Sequence, residues 1–83
     1  MQITEQILAT NIRTTTQSLF INLPTGEIAV PWESCSSRLA KATDEQRRHA
    51  ELSPSGYGIH WPLIDEDLTV HGLTRKAELP SGE

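Results

Sequence analysis

Cysteine is nearly absent from this sequence. Cys35 is the single one in 83 residues, so no disulfide can close within the chain. One thiol also cannot supply a thiolate-rich zinc site within one copy. A lone unpaired thiol fits a reducing cytosol. Long apolar runs are missing as well. The longest strongly apolar segment is LFINL, residues 19–23, whereas a membrane-spanning helix needs roughly 20 residues. The opening MQITEQILATNIR has neither the basic leader nor the apolar core of a secretory signal, and the expected location is the cytoplasm. Positive charge is scarce: eleven acids against seven bases give a formal charge of −4, which counts against non-specific nucleic-acid binding. No GxSxG, P-loop, GxGxxG or HExxH pattern occurs, and with them go the commonest one-motif enzyme classes. An 83-residue chain is one domain with a modest core.

What is present begins with SLFINLPTGEIAVPW, residues 18–32. Leu19, Ile21 and Leu23 alternate with polar or outward positions, Pro24-Thr25-Gly26 breaks the run, and Ile28, Val30 and Trp32 resume it. Two period-2 runs about a Pro/Gly turn predict a β-hairpin with those six residues on one face. The period then changes. Trp32, Cys35, Leu39 and Ala42 fall on one helical stripe. Thr43 followed by Gln46 has the spacing of a capping box, with Asp44 and Glu45 in the first turn. Two short helices are expected, over 33–41 and 44–50.

SPSGYG, residues 53–58, must turn the chain, with Gly56 and Gly58 free to take positive φ and Tyr57 swung to one side. Pro62 holds Trp61 extended, and Leu68, Val70 and His71 suggest a final strand ending at Gly72. The first 17 residues suit a short strand or an irregular lead-in, on Ile3, Ile7, Leu8, Ile12 and the extended preference of TTT. The expected fold is α+β: a small antiparallel sheet built on the hairpin, with two short helices packed on one face. Residues 1–74 form the domain and 75–83 a polar, flexible tail.

Three groups of residues are candidates for function. His60, Asp65, Glu66, Asp67 and His71 are the one cluster of metal-ligand types, but their spacing matches neither zinc nor EF-hand patterns. A histidine oriented by a carboxylate could serve as a general base. A small monomer, however, has little room for a water-excluding pocket, and no enzyme activity, metal or cofactor is expected. Cys35, on the apolar stripe, reads as a buried thiol rather than a nucleophile. Arg38, Lys41, Arg47 and Arg48 are four of the seven bases, within eleven residues and beside His49. Interleaved with Asp44, Glu45 and Glu51, they read as a solvated mixed-charge surface, with nucleic-acid contact as the alternative. Tyr57, His60 and Trp61, with Trp32, hold both tryptophans and the single tyrosine. They serve either as core or as an exposed anchor for a partner.

The order EIAVPW, SSRLAKAT, DEQRRHAEL, GYGIHWPLIDEDLTVHGL, roughly residues 18–73, resembles the bacterial family termed domain of unknown function 2442. The matching motif residues are Gly56, Tyr57, Gly58, Ile59, His60, Trp61, Pro62, Asp65, Glu66, Asp67 and Leu68. The resemblance implies a small α+β domain, in some members fused to a helix-turn-helix domain. It also implies a gene set beside another short gene, as in toxin–antitoxin pairs. It carries over no catalytic or binding role. With the chain stopping at Glu83, no fused DNA-binding domain is expected. The leading expectation is a non-enzymatic protein-binding module with Tyr57, His60, Trp61, Asp65, Glu66 and Asp67 as its motif surface. It would be the antitoxin-like half of a two-gene system, bound to a protein partner encoded nearby. A homodimer is a further possibility, since the hairpin leaves an edge strand open.

Overall fold

Alternation of apolar residues decides the first half of the chain. In the computed structural model, which describes residues 8–77, Asn11–Thr14 (β1), Ser18–Leu23 (β2) and Gly26–Pro31 (β3) form an antiparallel sheet in the order β1-β2-β3. The hairpin register pairs Leu19 with Val30, Ile21 with Ile28 and Leu23 with Gly26, leaving Pro24 and Thr25 as the turn. Leu19, Ile21 and Val30 are fully buried, as the hairpin face requires, while Leu23 and Ile28 near the turn are half-buried. The opposite face is polar-aromatic: the Arg13 guanidinium lies 4.1 Å from the centre of the Phe20 ring and is paired with Glu27 at 3.2 Å. β1 falls within the lead-in; Ile3 and Ile7 lie outside the described residues.

Three short helices follow: Trp32–Cys35 (α1), Ser37–Ala40 (α2) and Asp44–Arg48 (α3). The helix expected over 33–41 is broken in two at Ser36. Its backbone is extended (φ −171°, ψ 162°) and its hydroxyl caps α2 by accepting from the Leu39 N–H at 3.1 Å. A serine that can bond the backbone three residues on competes with helix continuation, which the apolar stripe alone does not reveal. The stripe itself holds, for Trp32, Cys35 and Leu39 are all buried. α3 carries the full capping box: Gln46 N–H to Thr43 Oγ1 at 3.1 Å, and Thr43 N–H to Gln46 Oε1 at 2.9 Å. It ends at Arg48 rather than at residue 50.

The chain then builds a second antiparallel sheet from Glu51–Leu52 (β4), Gly58–Trp61 (β5) and Glu66–Thr69 (β6), in the order β4-β5-β6. Ile59 and Trp61 point inward; Gly58 and His60 occupy the alternate, outward positions. The final strand stops at Thr69 instead of continuing to Gly72. The Thr69 hydroxyl accepts the Gly72 N–H at 3.0 Å and so caps a last helix, Val70–Ala77 (α4). Val70, Leu73 and Thr74 are its buried stripe, and Lys76 reaches the Cys35 carbonyl at 2.9 Å. The helix thus takes in Arg75, Lys76 and Ala77 from the stretch expected to be tail, and 78–83 lie outside the described residues. The fold is α+β as expected, and the described residues form two small sheets and four short helices.

Two contacts lock the sheets together. Trp32 and Trp61 meet edge to face, ring centres 6.4 Å apart and planes at 82°, a favoured aromatic geometry. Ala9, leading into β1, donates its N–H to the Gly56 carbonyl at 2.7 Å. Gly56 has φ +85°, and a Cβ there would collide with the Ala9 carbonyl oxygen. Gly58 has no positive φ; it opens β5, and a Cβ on it would meet only the Leu68 carbonyl oxygen at an ordinary 3.6 Å. Gly56→Ala is expected to cost about 2–4 kcal/mol from strained φ plus displaced backbone, whereas Gly58→Ala stays within about 0.5 kcal/mol of the parent. Urea unfolding of both variants measures this, and equal stabilities would show that the Ala9–Gly56 contact is dispensable.

Candidate functional site: the outer face of the second sheet

The bend before β5 is organised by Ser53. Its hydroxyl accepts the backbone N–H groups of Tyr57 at 3.2 Å and Gly58 at 3.1 Å, and its own N–H bonds the Gly58 carbonyl at 2.8 Å. The Gly56 N–H also donates to the Ser53 carbonyl at 2.9 Å, which tightens the loop. Tyr57 is thereby held in a defined place yet left 56% exposed. Trp61, four residues on, is fully buried, so the two aromatics divide the core and surface roles between them. Tyr57 does not close over Trp61; the inward neighbour of Trp61 is Trp32. The Trp61 indole N–H is bonded to the Arg47 carbonyl at 3.2 Å.

The cross-strand register places His60 opposite Asp67 on β6 and opposite Glu51 on β4, all facing outward. His60 Nδ1 lies 2.7 Å from Asp67 Oδ1, the ring N–H donating to the carboxylate. The other acids of the motif go elsewhere. Asp65 sits in the β5–β6 turn at φ 54°, a backbone region that aspartate tolerates better than most residues. Glu66 turns to Arg38, 3.8 Å away, and His71 lies exposed on α4. Among the described residues no group of three or more His, Cys, Asp or Glu side chains is placed to hold a metal ion.

Around this row lies a groove of about 490 Å³ lined by Leu52, Ser53, Tyr57, Gly58, His60 and Asp67, among others. It thus gathers a serine, a histidine and an aspartate on one surface. The Ser53 hydroxyl is occupied by two amide donors, and the hydrogen bonds of the described residues include none between Ser53 and His60. A proton relay to an activated nucleophile needs that bond. Ser53 and Glu51 were not singled out by the sequence. The signal that could have found Ser53 is its place before Pro54 in a turn, where serine side chains commonly bond the backbone.

The basic residues divide in an unexpected way. The Arg47 side chain is only 15% exposed. Its guanidinium donates to the carbonyls of Leu39 and Ala40, each at 3.0 Å, and to that of Thr16 at 3.5 Å, and it sits 5.4 Å from the centre of the Trp32 ring. Arg38 donates to the Ile64 carbonyl at 3.1 Å and so holds the β5–β6 turn against α2. Lys41 and Arg48 stay exposed. Cys35 is fully buried, and burial pushes its thiol from the ordinary 9.0 up to about 12 despite the nearby Lys76 and Arg47 charges.

The chain matches, over residues 9–78, the family described as "Protein of unknown function (DUF2442)", and it belongs to that family. A solved structure is similar throughout: the crystal structure of a protein of unknown function from Rhodospirillum rubrum ATCC 11170. It is 29% identical, the match spans 84% of this chain and 87% of that one, and the TM-score is 0.73. No curated protein matches the chain. No helix of the described residues is long and apolar enough to cross a membrane.

Three variants check these assignments. Arg47→Lys cannot serve three carbonyls and an indole face at once, and is expected to lose about 1–3 kcal/mol of stability. Arg48→Ala is expected to stay within about 0.5 kcal/mol; equal losses in urea titrations would contradict the assignment. For Cys35, the folded thiol keeps its proton above pH 9.0 while the unfolded one releases it. Stability from this group is therefore complete below 9.0 and declines from there toward about 12. Cys35→Ala should lack that part of the alkaline slope; parallel stability–pH curves for parent and variant would refute it.

Proposed function

We propose that this DUF2442 chain is a non-enzymatic, cytoplasmic protein-binding module whose partner docks on the outer face of the β4-β5-β6 sheet, and that it is the antitoxin-like member of a two-gene pair. The observation that carries the reading is Tyr57. A bulky aromatic residue is 56% exposed while Ser53 fixes the loop beneath it, beside a groove of about 490 Å³. Rigid, exposed tyrosines next to concave surfaces are typical binding anchors, because little side-chain entropy is lost when they are covered. The two-gene aspect is supported by the gene layout that the family resemblance implies.

Nucleic-acid contact through Arg38, Lys41, Arg47 and Arg48 has less support. Arg47 is committed to backbone carbonyls and Arg38 to Ile64 and Glu66, so that among the described residues the segment has two cations without such bonds, Lys41 and Arg48, rather than four. Phosphate binding scales with the number of charges neutralised.

Light scattering on the chain alone and co-expressed with the product of the adjacent short gene tests the reading. A stoichiometric heteromer is expected, weakened roughly thirtyfold by Tyr57→Ala, which corresponds to the loss of one hot-spot residue of about 2 kcal/mol. An unchanged mass for the chain in both preparations would remove the proposal.

A further inference from the structure

The register of the second sheet sets Glu51, His60 and Asp67 side by side in one cross-strand row. With strands about 4.8 Å apart, the two carboxylate-bearing positions stand roughly 10 Å from each other with the imidazole between them. Whether that ring carries one proton or two, the row is net negative. The next row toward Tyr57 is Gly58 opposite Thr69. Position 58 faces outward and has no side chain, so the floor of the sheet dips there, with Pro54 and Tyr57 lining the groove beside it. The result is a groove with an apolar, aromatic-walled end and an acidic end.

That polarity selects the occupant. Resting on the protein-binding reading above, we infer that the groove receives an extended partner segment carrying an arginine or lysine next to an aliphatic residue. The cation lies along the Glu51–His60–Asp67 row, its methylene stem runs past the Tyr57 ring, and the aliphatic neighbour fills the space over Gly58. Arginine and lysine are suited to this division, since their stems pack on apolar surface while the head meets carboxylates. A second copy of the chain is a poor occupant, because each copy would bring an acidic row and a formal charge of −4. A nucleic acid is disfavoured at this face by the same sign of charge.

The test uses two capped pentapeptides, TVRLT and TVELT, titrated into the full chain and followed by amide chemical shifts. TVRLT is expected to move amides in 51–54, 57–60 and 67–69, with TVELT at least tenfold weaker. Gly58→Val places a β-branched side chain suited to a strand over the dip, and its Cβ meets only the Leu68 carbonyl oxygen at 3.6 Å. It is expected to lower TVRLT affinity tenfold or more while the unfolding midpoint stays at or above that of the parent. Glu51→Lys, on an exposed residue, removes the net negative charge of the row and is expected to abolish the preference between the peptides. Absence of binding, equal binding of both peptides, shifts confined to another face, or indifference to Gly58→Val would each overturn the inference. If the co-expressed partner binds parent and Gly58→Val alike, the protein-binding reading stands and this account of its groove fails.

Discussion

The arrangement depends on Arg47. One guanidinium satisfies the carbonyl ends of α2 at Leu39 and Ala40, reaches the β1–β2 loop at Thr16 and lies over the Trp32 ring, while the Arg47 carbonyl takes the Trp61 indole N–H. Trp32 returns the favour to the first sheet through its own indole bond to Thr15 O at 3.0 Å. A domain of this size cannot bury enough apolar surface to fix every element by packing alone. Its short helices have little independent stability, since helices below roughly a dozen residues are marginal in water. One largely enclosed, multiply bonded cation ties α3 to α2, to the β1–β2 loop and to the Trp32 ring. No buried side-chain polar atom among the described residues is left without a partner.

This use of charge shapes what the surface can do. With Arg47 turned inward and Arg38 spent on the β5–β6 turn, the basic segment is thinner outside than its composition suggests. On the second sheet the balance runs the other way, because Glu51 and Asp67 face outward beside one histidine. The proposed binding face is therefore acidic with an exposed tyrosine, and its loop is held by Ser53 and by Gly56, pinned beneath Ala9.

Much of this was legible in the sequence wherever one local rule decides the structure. The hairpin over Ser18–Pro31 follows from period-2 alternation about Pro24-Thr25-Gly26, and the capping box of Thr43 and Gln46 from its spacing. Illegible were places where a side chain bonds the backbone against the prevailing pattern. Ser36 interrupts a helical stripe, and Thr69 converts a strand into α4 before the alternation of Leu68 and Val70 has run out. The site was half visible. GYGIHWPLIDEDL drew attention to the stretch that forms β5, its turn and the start of β6, yet His60–Asp67 and Glu66–Arg38 are separated by strand pairing that spacing alone does not report. Glu51 joins the row only because β4 pairs with β5, and two-residue strands leave almost no periodic signal.

Amide hydrogen exchange of the chain, free and in complex with the proposed partner, bears most directly on the claim that function resides on the outer face of the second sheet. The account predicts new protection in 51–60 and 67–69, with α2 and α3 unchanged. Protection confined to 37–48, or to the β1 edge over 11–14, would contradict it and move the interface to the basic helices or to the open edge of the first sheet.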